Sequence, residues 1–201
     1  MTTILNLGAG QEIPEIFRVE EPPLFMVSVD KIFYTFDIPS TVEKNYEHFL
    51  NRRGILNEKL HYRINSDIFD FLSRTIMKFD IVIMHRVLEH ISFTQVNYFF
   101  YLLSIVMEKG SKASIIVPDY EILAHRILRE NVQALDFEKR NIITTTELLN
   151  EKYDPHASIW TEQRAKYYSE YEGRFKYIPG EPKTVTIDGR ELYLHFWIER
   201  V

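Results

Sequence analysis

The stretch Met84-His85-Arg86-Val87-Leu88-Glu89-His90 places two imidazoles and a carboxylate close together along the chain. These are the residue types that move protons near neutral pH. A zinc site would need two histidines on one helical face, as in His-Glu-x-x-His. Here His85 closes an apolar run and His90 lies across a strand-to-helix turn, so no metal is expected. The pair Glu89 and His90 reads equally as a helix-start hydrogen-bonding pair or as a loop that covers a ligand. A second constellation sits near the amino terminus. The run Ile4-Leu-Asn-Leu breaks into Gly8-Ala9-Gly10, and a second apolar run, Phe25-Met-Val-Ser-Val, ends at Asp30. A glycine turn admits a ligand to the backbone, and an acid after the next strand can bind two ribose hydroxyls. A nucleoside-binding α/β domain begins in this way.

The elements that must position these groups follow from the apolar pattern. Strands are expected at Thr3 to Leu7, Leu24 to Val29, Leu60 to Asn65, Asp80 to His85 and Lys112 to Val117. Gln11 to Glu21, bounded by Pro14 and by Pro22-Pro23, leaves room for about two helical turns. Helices are expected at Thr41 to Arg53, Ile68 to Met77 and Thr161 to Tyr171. Phe93 to Lys109 is apolar almost all round, which predicts a heavily buried helix closed by Gly110. Tyr120 to Val132 and Asp136 to Tyr153 also look helical. Lys183 to Ile187 and Glu191 to Ile198 flank Asp188-Gly189, a hairpin signal. Five alternations of strand and helix before a hairpin imply a mostly parallel sheet with an antiparallel strand at one end. The ligand then belongs at the carboxyl ends of the strands, near the switch between the first and the fourth.

The turn itself narrows the ligand. A dinucleotide site would place a third glycine where Glu12 stands, with a pyrophosphate nearby. A carboxylate there repels phosphates but is compatible with a cationic ligand. Leu-Asn-Leu-Gly-Ala-Gly (5–10), Asp30, Phe-Asp-Ile-Val-Ile-Met-His-Arg-Val-Leu-Glu-His-Ile (79–91) and Ile-Ile-Val-Pro-Asp-Tyr (115–120) together resemble class I S-adenosylmethionine-dependent methyltransferases. The likeness is greatest to small members with a shortened first helix, a Leu-Glu-His box after strand four and a Pro-Asp pair after strand five. The resemblance implies a Rossmann-like fold: a mostly parallel seven-stranded sheet, an antiparallel C-terminal strand and helices on both faces. It implies S-adenosylmethionine as cofactor. Gly8 and Gly10, with Ala9 between them, would admit its methionine part. Asp30, followed by Lys31, would take the ribose hydroxyls. Asp67 would accept from the adenine amino group beside the Ile68 backbone, and Met84 and His85 would floor the sulfonium. His85, Glu89 or His90 would serve as base where the acceptor has a proton to lose. Asn6 stands where an acid is common, Glu12 replaces a glycine, and an insertion runs from Pro39 to Lys59.

Acceptor contacts are expected from Asp119, on the ligand side of the sheet, and from His156 and Trp160, four residues apart. Helix capping for Asp119 and packing for the other two are the plain alternatives. The Tyr167, Tyr168, Tyr171, Phe175 and Tyr177 run reads as core and subunit surface, which would suit a homo-oligomer or a larger assembly. The 201 residues are expected to form one domain, with 1–120 as the cofactor half and 121–201 as an acceptor or lid half.

A net charge of −5 without a basic run disfavours nucleic acid. No Asp/Asn-Pro-Pro-Tyr/Phe box follows strand four, which agrees. Cysteine is absent, excluding disulfides, thiolate metal sites and cysteine nucleophiles. No signal peptide is visible, and Tyr98 to Met107 is too short for a bilayer span of roughly 20 residues. A soluble, cytoplasmic protein is expected, methylating a small-molecule or sugar-like acceptor. The rival from another class is a catalytically inactive methyltransferase-like scaffold. A dinucleotide-dependent oxidoreductase ranks behind both.

Overall fold

Parallel strands covered on two faces must be apolar on both sides, and this chain meets that demand in sequence order. In a computed structural model, which describes residues 2–9, 23–30, 43, 44, 46, 59–122, 124, 125, 157–187 and 190–201, seven strands form one sheet. They are β1 (Thr2–Leu7), β2 (Leu24–Asp30), β3 (Lys59–Asn65), β4 (Phe79–His85), β5 (Met107–Pro118), β6 (Phe175–Ile187) and β7 (Arg190–Arg200). Their order is β3-β2-β1-β4-β5-β7-β6. The neighbours β3-β2-β1-β4-β5 are parallel, and β7 runs antiparallel to both β5 and β6. The topology switches direction between β1 and β4, which both start from the middle of the sheet.

Side chains alternate between the two faces along each strand. Leu5, Leu7, Phe25, Val27 and Val29 belong to the main core, together with buried residues of α1 (Ile68–Arg74), α2 (Phe93–Val106) and α3 (Glu162–Glu170). Ile4, Leu24, Met26 and Ile83 form a smaller cluster on alternate positions. Removing each such side chain from water contributes about 1.5–3 kcal/mol. The expected helices at Gln11 to Glu21 and Asp136 to Tyr153 lie outside the described residues. So does most of Thr41 to Arg53, of which residues 43, 44 and 46 are helical. Residues 120–122 are helical, as expected at the start of Tyr120 to Val132.

Two boundaries differ from the sequence expectation. The helix α2 ends at Val106, not at Lys109, because Met107 turns extended and pairs with Phe79 at the start of β4. The pairing then jumps from Phe79 and Met107 to Ile81 and Lys112. Gly110, with φ +86°, therefore absorbs a bulge inside β5 and does not close a helix. Nor is α2 buried all round: Tyr98, Tyr101 and Ile105 are 51%, 41% and 40% exposed. Aromatic contact on the surface partly shields this stripe, with Tyr98 stacked on Phe69 (6.1 Å) and beside Tyr101 (6.2 Å).

The hairpin is longer than its Asp-Gly signal suggested. Strand β6 begins at Phe175, and Tyr177 stacks on Phe196 of β7 at 5.4 Å. Of the aromatic run, Phe175 and Tyr177 are core, Tyr168 packs against it, and Tyr167 and Tyr171 are exposed. Among the described residues no helix is long and apolar enough to cross a membrane.

Candidate functional site

Three turns at the carboxyl edge of the sheet are tied to neighbouring strands. The Gly8 N–H donates to the Val29 carbonyl (2.9 Å), Ser66 N–H to the Asp30 carbonyl (3.2 Å), and Arg86 N–H to the Ile116 carbonyl (2.8 Å). Each bond continues a ladder one step past its strand and contributes roughly 0.5–1.5 kcal/mol. The result is a fixed rim. Two residues on it adopt left-handed backbone, Gly8 (φ +62°) and Arg86 (φ +60°). For arginine this costs about 1–2 kcal/mol, which glycine avoids.

A cleft of about 420 Å³ opens on this rim at the β1–β4 switch, between Gly8, Asp30, Asp67, Ile68, Arg86 and His90. Its size falls within the roughly 300–1,000 Å³ of small-ligand sites. Asp67 caps α1, its Oδ1 accepting from Phe69 N–H (2.8 Å) and Asp70 N–H (3.4 Å). The same residue thus starts a helix and forms a wall of the cleft. A second cleft, about 270 Å³, adjoins the first through Gly8, Arg86 and His90 and extends to His85, Glu89 and Tyr193.

His85 bonds the Ser114 hydroxyl through Nε2 (3.1 Å), and that hydroxyl contacts His195 Nε2 (3.2 Å). Ser114 has a single proton to donate, so one of the two rings must donate to it. Although the His85 ring keeps contact with solvent, desolvation by the surrounding chain holds its pKa down to about 4, assisted by His195 and Arg86. Such a ring is neutral at pH 7 and a weak proton acceptor, better suited to hydrogen bonding than to general-base work. Deeper in the sheet Asn6 donates to Ser28 Oγ (3.4 Å), which bonds His61 Nε2 (2.9 Å). Desolvation first, then Arg63, lowers the His61 pKa to about 4.

These two rings set a pH dependence. The folded chain keeps them neutral, whereas the unfolded chain takes up protons below the ordinary value of 6.5. Stability is therefore complete above pH 6.5 and declines as pH falls toward 4. Allowing for solvent screening, His61 is expected to contribute about 1–2 kcal/mol to that decline. Urea denaturation at several pH values between about 7 and 4.5 should show it, and His61→Gln should flatten the slope. An unchanged slope in the variant would remove His61 from the account.

Other expected site residues are placed elsewhere by the structure. Met84 does not floor the cleft; it is fully buried in the main core. Trp160 makes no cleft wall either, because it is wholly buried. Its Nε1–H donates to Ser158 Oγ (2.8 Å), Ser158 Oγ donates to the Leu88 carbonyl (2.8 Å), and Ser158 N–H donates to the Glu89 carbonyl (3.0 Å). Tyr120 N–H closes the knot on the Trp160 carbonyl at 3.0 Å. Trp160 thus pins the Leu88–His90 turn from behind. Asp119 is a buried helix cap and lines neither cleft, with Oδ1 accepting from Glu121 N–H (3.0 Å) and Ile122 N–H (3.3 Å). Burial raises its pKa against the opposing pull of those two N–H groups. Ala9 is half-buried beside Gly8. Gly10, Lys31 and His156 lie outside the described residues. Among the described residues no group of three or more His, Asp or Glu side chains is placed to hold a metal ion.

Arg86, Val87, Ser114, Tyr193 and His195 were not marked as site residues by sequence. Only Arg86 and Val87 carried a signal, by following the end of an apolar strand; Tyr193 reaches the rim through its pairing with Pro118, 75 positions earlier (193 − 118).

No family model matches the chain, and no curated protein matches it. Solved structures do. A SAM-dependent methyltransferase from Methanosarcina mazei superposes with TM-score 0.55 at 12% identity, over 99% of this chain and 92% of that one. An O-methyltransferase family protein from Burkholderia thailandensis gives TM-score 0.57 at 12% identity, over 99% of this chain and 51% of its own. This chain has the class I methyltransferase fold. A plantazolicin methyltransferase, solved with a triazolic desmethyl analogue and SAH, shares it with TM-score 0.57 and 15% identity, over 99% of this chain and 76% of that one. The chain spans about half the length of the Burkholderia protein. The C-terminal β7–β6 arrangement and the cleft at the β1–β4 switch are features of one continuous sheet.

Proposed function

We propose that the chain binds S-adenosylmethionine in the larger cleft and transfers its methyl group to a small-molecule or sugar-like acceptor. The observation that carries this reading is the convergence of Gly8, Asp30, Asp67 and Ile68 on one open cleft at the topological switch. Four residues drawn from three loops meet where an α/β sheet binds its ligand. Methyltransferases among the fold's solved relatives support the same reading.

The residues present suit an adenosyl ligand. Asp30 offers a carboxylate at the end of β2, the natural partner of a vicinal diol. Ile68, Phe69 and Ile91 supply apolar surface for a purine. Asp67 commits Oδ1 to its helix, so the purine edge would be met by its other carboxylate oxygen and by the Ile68 backbone. When bound, the cofactor supplies an activated methyl group as a sulfonium. The protein contributes alignment and exclusion of water. His90 borders both clefts and is our choice among the three candidate bases, since Glu89 is buried and His85 is held in its Ser114 network.

Isothermal titration with S-adenosylmethionine and its demethylated product tests the reading. Saturable binding is expected, with thermal stabilisation of about 2.7 kcal/mol at a hundred times Kd. Asp30→Ala should weaken binding by roughly 10- to 100-fold, the loss of charge-assisted hydrogen bonds of about 1.5–3 kcal/mol. Absence of binding in the wild type would favour the inactive scaffold. Undiminished binding by Asp30→Ala would overturn the ribose role.

A further inference from the structure

The two adjoining clefts differ in charge. Arg86 and His90 border both; Asp30 and Asp67 face them in the first, whereas the second adds His85, Tyr193 and one carboxylate, Glu89. Glu89 borders the second cleft as a buried carboxylate, whose charge, after burial, helps to raise the Tyr120 phenol pKa. Arg86 is exposed, and among the described residues no carboxylate pairs with it. Its left-handed backbone would suit glycine or asparagine better. A strained residue at the junction of two clefts is where a functional side chain is worth its conformational cost. Arginine, moreover, is the side chain whose planar fork matches a carboxylate.

We propose that the second cleft is an acceptor subsite for a carboxylate-bearing molecule, with Arg86 binding the acid and Tyr193 lining the same cleft. His85 adds no second positive charge at neutral pH, and Arg86 is the permanent cation of this site. The subsite lies against β4, β5 and β7, beyond the larger cleft and on the far side of Gly8 from Asp30. The word acceptor rests on the methyltransferase reading; the binding of a carboxylate does not.

The test uses benzoate and its uncharged isostere benzamide, followed by NMR on the Gly8 amide and the His85 and His90 rings, with the demethylated cofactor at saturation. Wild type should bind benzoate saturably and at least tenfold more tightly than benzamide. Arg86→Met should abolish that preference, and Arg86→Lys should keep part of it. Equal binding of the two probes, or a preference that survives in Arg86→Met, overturns the proposal. A parallel titration with 5′-methylthioadenosine, which lacks the amino-acid tail, separates the other source of a carboxylate. If Arg86→Met loses affinity for the demethylated cofactor but not for methylthioadenosine, Arg86 serves the cofactor tail and the acceptor assignment fails. If the wild type binds neither nucleoside yet prefers benzoate, the anion site stands and the methyltransferase reading falls.

Discussion

Trp160→Ala should destabilise the fold by about 3–5 kcal/mol, the range for losing a large buried aromatic side chain. The indole is fully buried and makes ring contacts with Phe93 at the start of α2 (6.1 Å) and Tyr168 in α3 (5.8 Å). A cavity at this point loosens two helices and the sheet edge they cover. Against the roughly 5–15 kcal/mol by which native proteins are stable, such a loss is a large share. Trp160→Phe separates packing from hydrogen bonding. It keeps most of the apolar volume but removes the N–H donor to Ser158 Oγ, for an expected loss of about 1–2 kcal/mol. Because Ser158 holds the Leu88 and Glu89 carbonyls, this milder variant should also loosen the His90 turn. Denaturant unfolding measures the first effect, and amide hydrogen exchange at residues 88–90 measures the second. A Trp160→Ala variant within about 1 kcal/mol of wild type would return Trp160 to the ligand side.

The contrast between Trp160 and Asp30 shows which information was legible in sequence. Asp30 sits at the end of an apolar run whose residues are nearly all buried, so composition alone located its strand end. The same holds for β1 and β4, and hence for Gly8 and the His85–His90 stretch. Trp160 gave no such signal because its partner carbonyl is 72 positions away (160 − 88) and is reached through Ser158. A single aromatic near a histidine looks alike whether it faces solvent, ligand or core. Asp119 and Asp67 carry the same ambiguity, since a carboxylate before a helix satisfies N–H groups equally well at a site or away from one. The structure gives both aspartates to helix caps, and only Asp67 also meets the cleft. Helix and strand limits failed where long-range pairing outweighed local preference. Met107 left its helix to pair with Phe79, and Phe175 entered a strand because β7 lay beside it.

Gly8 makes a left-handed turn at the border of both clefts, and Gly8→Ala is the substitution that should disturb the site most directly. A Cβ built there would lie 2.5 Å from Val87 Cγ2, inside any allowed contact, and the left-handed backbone adds its own penalty. Overpacking of about 1–3 kcal/mol and a left-handed cost of about 1–2 kcal/mol give an expected loss of roughly 2–5 kcal/mol. Val87→Ala removes the colliding methyl group. The double variant should therefore be more stable than the sum of its singles predicts, by a coupling of roughly 0.5–3 kcal/mol. The left-handed part of the penalty should remain. Urea unfolding of the four proteins in the cycle gives the coupling directly. Additive losses would mean that the turn after β1 relaxes away from Val87 and that the two cleft walls are not held against each other. A positive coupling would instead show the Gly8 turn and the Arg86-Val87 turn to be one packed unit. The rim between the two clefts would then be set by a glycine that leaves space and a valine that fills it.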